Sequence, residues 1–192
     1  MKKILIINSN PDKESLCDAL ANSYKKGAES SGFECKLVKL IDLEFDPILR
    51  KGYKERTELE PDLIEVQNKI SNADHLVFVY PNWWSTYPAI LKGFFDRAFL
   101  PGFAFKYREN SMLWDKLLTG KSARIIVTMD SPSWFYSLFT KKPGHNSIKK
   151  GVLQFCGVNP VKISSFSPVK GSKPEQRNKW IEKVEELGKL GN

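Results

Sequence analysis

Two tryptophans stand side by side in the run Pro81-Asn82-Trp83-Trp84-Ser85-Thr86-Tyr87-Pro88. Turns favour Gly, Asn, Asp and Ser, so paired indoles between prolines need another reason. A flat heteroaromatic ring with a polar rim needs an apolar wall, plus backbone N–H and C=O groups along its edge. A rigid aromatic loop supplies both. The same pair could instead pack under a helix or against a second chain. A second candidate is Ser9-Asn10-Pro11-Asp12-Lys13-Glu14-Ser15, which leads into a helical pattern. A helix start leaves unpaired N–H groups and a partial positive charge, and so can hold a phosphate. Ser15 offers a hydroxyl and Asn10 an amide, although plain capping by Ser15 needs no ligand. Neither G-x-x-x-x-G-K-[ST] nor G-x-G-x-x-G occurs, which argues against a P-loop or a Rossmann fingerprint. Tyr136 is a phenol donor that could equally be a core tyrosine. His145 is a group titrating near neutrality that could equally be solvent-exposed.

These loops must be held by something regular, and apolar runs alternate with helical patterns along the chain. Strands are predicted at Lys3–Asn8, Cys35–Leu40, His75–Tyr80, Ala123–Met129 and Val161–Ser165. Helices are predicted at Ser15–Glu29, Asp62–Ser71, Pro88–Leu100, Asn146–Cys156 and Pro174–Leu187. Such alternation implies an α/β fold, a five-stranded parallel sheet of order 2-1-3-4-5 with helices on both faces. Ligands in that order bind at the carboxyl ends of the strands, where the winding reverses between strands 1 and 3. The loops after Asn8, Tyr80 and Met129 meet there. Two stretches break the pattern: Glu44–Glu60 reads as a long charged loop, and Pro101–Leu118 as an aromatic segment with a short helix near Trp114.

The 192 residues fit one domain, with 41% hydrophobic and 27% charged residues, ordinary for a globular protein. Net charge is +8, but the basic residues are scattered in ones and twos, a diffuse field that suits anionic small molecules such as nucleotides equally well, so nucleic-acid binding is not expected as the main function. Cys17, Cys35 and Cys156 form neither a C-x-x-C pair nor an even framework, so no disulfide scaffold and no metal site is expected. The apolar run Ile4–Ile7 is too short for a leader or a membrane span. A reducing, cytoplasmic setting follows.

The run Pro88-Ala89-Ile90-Leu91-Lys92-Gly93-Phe94-Phe95-Asp96-Arg97-Ala98-Phe99, with Gly102-Phe103-Ala104-Phe105-Lys106-Tyr107 after it, closely resembles the NAD(P)H:quinone oxidoreductase family of flavodoxin-like proteins. The resemblance extends to Asn10–Cys17, similar to the family's H-P-x-x-x-S-[FL] loop. It also covers Thr128-Met129-Asp130-Ser131 in the place of a T-x-G-G turn, Tyr136-Ser137-Leu138, and Gly151–Gly157. It implies that Ser15, Leu16 and Cys17, with Asn10 nearby, hold a flavin phosphate. Pro81, Asn82, Trp83, Trp84 and Ser85 would line the flavin ring, and Thr128, Met129, Asp130 and Ser131 its other edge. Trp84, Phe105, Tyr107 and Phe155 would form the substrate pocket, shared between two subunits of a homodimer. Asp130-Ser131 departs from the family's Gly-Gly. The family's proton-handling His position holds Lys142, which leaves His145 to substitute if the loop bends.

The implied activity is hydride transfer from NADPH or NADH through the flavin to a quinone or a similar acceptor, with Tyr136 hydrogen-bonding the charged ring. One pocket used twice predicts ping-pong kinetics. FMN is expected, with FAD the alternative, because the extra C-terminal segment of FAD-binding members is lacking. Two other functions share the fold. One is an electron carrier, usually acidic, which a stable semiquinone would reveal. The other is an ancillary subunit of a potassium-efflux system, which would bind flavin without oxidising NADPH.

Overall fold

The computed structural model describes residues 1–55 and 57–192. Five parallel strands form one sheet in the order β2-β1-β3-β6-β7, the expected 2-1-3-4-5 winding. They are β1 (Lys3–Asn8), β2 (Glu34–Lys39), β3 (His75–Pro81), β6 (Ser122–Thr128) and β7 (Val161–Phe166). β1, β3 and β6 lie at the centre and are apolar almost throughout, because a parallel strand with helices on both faces has no wet side. Their registers, Ile7 beside Phe78 and Phe78 beside Ile125, bring the three carboxyl ends level with one another.

One face is covered by α1 (Leu16–Ser30) and α6 (Pro174–Leu190), the other by α2 (Pro61–Asn72) and α3 (Ala89–Ala98). Each helix start has a physical cause. Ser15 Oγ accepts the Asp18 amide at 3.3 Å to cap α1, and Pro61 and Pro174 occupy first-turn positions that need no donor. The backbones of α1 and α6 nearly touch. A Cβ on Gly27 would lie 2.0 Å from the Glu185 carbonyl oxygen, and one on Gly188 2.1 Å from that of Tyr24, so neither position admits a larger residue. This contact fixes the direction of α1, and with it the loop that precedes it.

The described part of Glu44–Glu60 is loop, as expected; residue 56 lies outside the described residues. Arg97 on α3 anchors it. The guanidinium is 1% exposed and donates to the carbonyls of Asp46 and Glu58 and to both oxygens of Glu60. Pro101–Leu118 holds no helix near Trp114. Instead β4 (Phe105–Tyr107) and β5 (Trp114–Lys116) pair as an antiparallel hairpin, Tyr107 opposite Trp114. Among the described residues a 3-10 turn at Leu40–Asp42 and two short helices, α4 (Ser133–Leu138) and α5 (Pro143–Asn146), are the remaining short elements. The latter runs into wider π-helical turns over Ser147–Gln154, earlier and looser than the helix expected at Asn146–Cys156.

Candidate active site

The loops after β1, β3 and β6 meet at the carboxyl edge, where the winding reverses. They border a cleft of about 370 Å³. The first loop contributes Asn10, Asp12, Glu14, Ser15, Leu16 and Cys17; the second, Pro81, Asn82 and Trp83; the third, Thr128, Met129 and Asp130. Arg177 of α6 also lines it. Sequence reasoning missed Arg177 because α6 carries no motif; only the packing of α6 against α1 brings it there.

The first loop is stiffened by a relay of side chains. Asn8 Oδ1 accepts the Asn10 amide at 3.1 Å, Asn10 Oδ1 that of Asp12 at 3.0 Å, and Asp12 Oδ1 that of Glu14 at 3.0 Å. Such short polar side chains hold local turns. Ser15 does cap α1, as the simpler reading has it, but it satisfies only Asp18. The amides of Leu16 and Cys17, at the start of the helix, have no carbonyl within the helix to bond. Cys17 Sγ lies 3.2 Å from Thr128 Oγ1 and ties the first loop to the third. Burial pushes its pKa up to about 11, so it is a neutral thiol that offers its backbone, not its sulfur. Asp130 folds back to accept the Lys170 amide at 2.8 Å, and Ser131 follows it, away from the cleft lining.

The second loop is a hairpin turn. Trp83 N–H donates to the Thr86 carbonyl at 3.0 Å and Thr86 N–H to that of Trp83 at 2.9 Å. The central residues Trp84 and Ser85 have φ of 50° and 61°. Positive φ at both is the type I′ pattern, which Asn-Gly fills at least cost, so a Trp-Ser pair is strained. Trp83 is half-exposed, and Trp84 is 98% exposed, aimed away from the core.

Tyr136 and His145 stand behind this turn and not in the cleft. The Tyr136 hydroxyl, on a residue 2% exposed, donates to the Ser85 carbonyl at 3.0 Å and accepts the Gly144 amide at 3.0 Å. Its one proton is therefore already committed, which corrects the expectation that it bonds a ring in the cleft. Lys141 and Lys142, with φ of 56° and 54°, do bend the chain. They bring the His145 ring within 4.9 Å of that of Tyr136, edge to face. The bend also buries His145, which is 5% exposed and not solvent-facing. Burial first, and then the Lys142 charge, push its pKa down to about 4, so it is neutral at physiological pH.

Phe105, Tyr107 and Phe155 come together as expected, with ring centroids 5.2 Å and 5.1 Å apart around Phe105. Trp114, missed from sequence, completes their wall: it stacks on Phe155 at 4.4 Å and donates its indole N–H to the Phe155 carbonyl at 2.9 Å. Phe105, Tyr107 and Phe155 line a second cavity of about 630 Å³, together with Tyr53, Lys92 and Asp96, while Trp114 backs Phe155 from outside it. Trp84 is not part of this wall, so the four expected substrate residues do not meet within one chain. Among the described residues no group of three or more His, Cys, Asp or Glu could hold a metal ion, and no helix is long and apolar enough to cross a membrane.

A family model described as the flavodoxin-like fold matches residues 2–188. The chain belongs to that family. Within it, this flavodoxin-like chain is 27% identical to NAD(P)H dehydrogenase [quinone] 1 of Cavia porcellus, over 97% of this chain and 78% of that protein. It is also 27% identical to ribosyldihydronicotinamide dehydrogenase [quinone] of Pongo abelii, over 98% of this chain and 93% of that protein. Among solved structures, Smu.1420 of Streptococcus mutans UA159 superposes with a TM-score of 0.83 at 29% identity, covering 98% of this chain and 99% of that one.

Proposed function

We propose that this chain is a flavin-dependent NAD(P)H:quinone oxidoreductase. The observation that carries the reading is the meeting of three loops at the winding reversal, one offering open helix-start amides and another a strained aromatic turn. These features fit a flavin. Leu16 and Cys17 would hold its phosphate through their amides, with the Ser15 hydroxyl and Asn10 beside them. Pro81, Asn82, Trp83, Trp84 and Ser85 would wall the ring on one side, and Thr128, Met129 and Asp130 would meet its other edge, with Ser131 turned away from it. The buried Asn82 Oδ1 has no hydrogen-bond partner among the described residues, which suits an acceptor for that rim. The open amides of Leu16 and Cys17 border the cleft, and we take the cofactor to be FMN.

A bound flavin supplies the two-electron chemistry; the protein supplies binding, orientation and electrostatics. The chain's task is to hold apolar walls close together and keep water out, so that a nicotinamide donor and a quinone each find the same place. Trp84 and the Phe105–Tyr107–Phe155 wall serve that task only if a second copy brings one against the other, so the active unit is a homodimer with two shared sites. Tyr136 and His145 support the walls from behind. The three cysteines are free thiols, a state that suits a reducing compartment, and we place the enzyme in the cytoplasm.

Purified protein supplied with FMN and a simple benzoquinone should oxidise NADPH or NADH. Double-reciprocal plots at several quinone concentrations should be parallel. Intersecting lines contradict a pocket used in turn by both substrates, and flavin-loaded protein that oxidises neither nucleotide contradicts the enzyme reading altogether.

A further inference from the structure

Of the five described non-glycine residues with left-handed backbone, four lie in two pairs, Trp84-Ser85 and Lys141-Lys142. The Tyr136 hydroxyl lies between them. It donates to the Ser85 carbonyl, while the Gly144 amide, two residues after the second pair, reaches both that carbonyl and the hydroxyl at 3.0 Å. Gly144 is glycine for the same reason. A Cβ there would stand 2.8 Å from Thr86 Cα, 3.0 Å from the Ser85 oxygen and 3.1 Å from Tyr136 Oη. Strained backbone persists only where its surroundings over-determine it.

We infer that Tyr136 is a positioning residue, whose hydroxyl clasps the Trp84-Ser85 turn in the shape that receives the flavin ring. The inference rests on the proposed flavin site for its purpose, but not for its mechanics. Each left-handed non-glycine residue disfavours such a turn by roughly tenfold. One hydrogen bond to a buried carbonyl offsets a factor of roughly ten at most. The hydroxyl and the Ser85 strain are thus of equal size, and removing either should cancel the loss of the other. A phenol that acted on reacting atoms would show no such cancellation.

The test uses the purified full chain and two readouts, hydrogen exchange at the Thr86 amide and FMN affinity by fluorescence quenching. Tyr136→Phe should speed Thr86 exchange and weaken FMN binding, each by about tenfold, with turnover per bound flavin and its pH profile unchanged. Adding Ser85→Gly should return both readouts to within about threefold of the parent. Gly144→Ala, which leaves the hydroxyl in place but forces the clasp apart, should reproduce the Tyr136→Phe effects. Unchanged Thr86 exchange in Tyr136→Phe overturns the proposal, as does failure of Ser85→Gly to restore it. If Thr86 responds in a chain that takes up no flavin, the clasp stands and the cofactor reading alone falls.

Discussion

Arg97 holds the Glu44–Glu60 loop, and replacing it with methionine measures how firmly. Methionine keeps most of the side-chain length but has no donors. Four hydrogen bonds disappear, leaving the Glu60 carboxylate and the Asp46 and Glu58 carbonyls to find other partners. Removing one member of a buried ion pair costs about 3–5 kcal/mol. Glu60 keeps 29% of its side-chain exposure and can recover some hydration, so about 3 kcal/mol is the better figure. At 2–4 °C per kcal/mol for a chain of this size, Tm should fall by roughly 6–12 °C in a calorimetric melt. Because the same loop carries Tyr53 to the rim of the larger cavity, quinone KM should rise while FMN affinity stays at the parent value. Adding Glu60→Leu should recover part of the lost stability by removing the stranded charge. A single variant that melts within 2 °C of the parent would refute the clamp.

Three further outcomes follow from the geometry. Burial, reinforced by Lys2, Arg124 and Lys162, pushes the His75 pKa from 6.5 down to about 3. Between those values the unfolded chain binds the extra proton, so this contribution to stability is complete above pH 6.5 and shrinks as pH falls. It should amount to about 2 kcal/mol lost at pH 5, and denaturant titrations of His75→Asn should show a correspondingly flatter acid limb. Gly188→Ala should destabilise by about 1–3 kcal/mol in urea unfolding despite the better helix propensity of alanine, because its methyl group meets the Tyr24 carbonyl; a gain in stability contradicts the helix contact. Trp114→Ala should raise quinone KM severalfold with FMN affinity untouched, since Trp114 supports Phe155 and lines no part of the flavin cleft; equal loss of both would mean the two cavities are not separate.

Much of this architecture was legible in the residues. His75–Tyr80 and Lys3–Asn8 are apolar runs too short for helices and too rich in branched residues for loops, so the central strands and their order followed from periodicity and the crossover rule. The hairpin was not legible, because β4 and β5 are three residues each and alternation needs more length to declare itself. Pairing between Tyr107 and Trp114 is a tertiary fact. The aromatic turn could be located, but its left-handed Trp84 and Ser85 could not be foreseen, since local propensity assigns such positions to Asn and Gly. Tyr136 was read as bonding a ring in the cleft, whereas its hydroxyl turns to Ser85 and Gly144. A sequence shows that a phenol is present, whereas only the fold shows that Ser85 already holds its proton. His145 illustrates the same limit, for nothing local announces that Lys141 and Lys142 turn the chain inward.

The central claim is that the cleft between the first helix start and the aromatic turn takes a flavin. Titration of the purified chain with FMN, followed by flavin fluorescence and then by heat release of the bound pigment, tests it directly. The account predicts saturable quenching and a yellow protein that releases one FMN per chain. A colourless protein that takes up neither FMN nor FAD would contradict it.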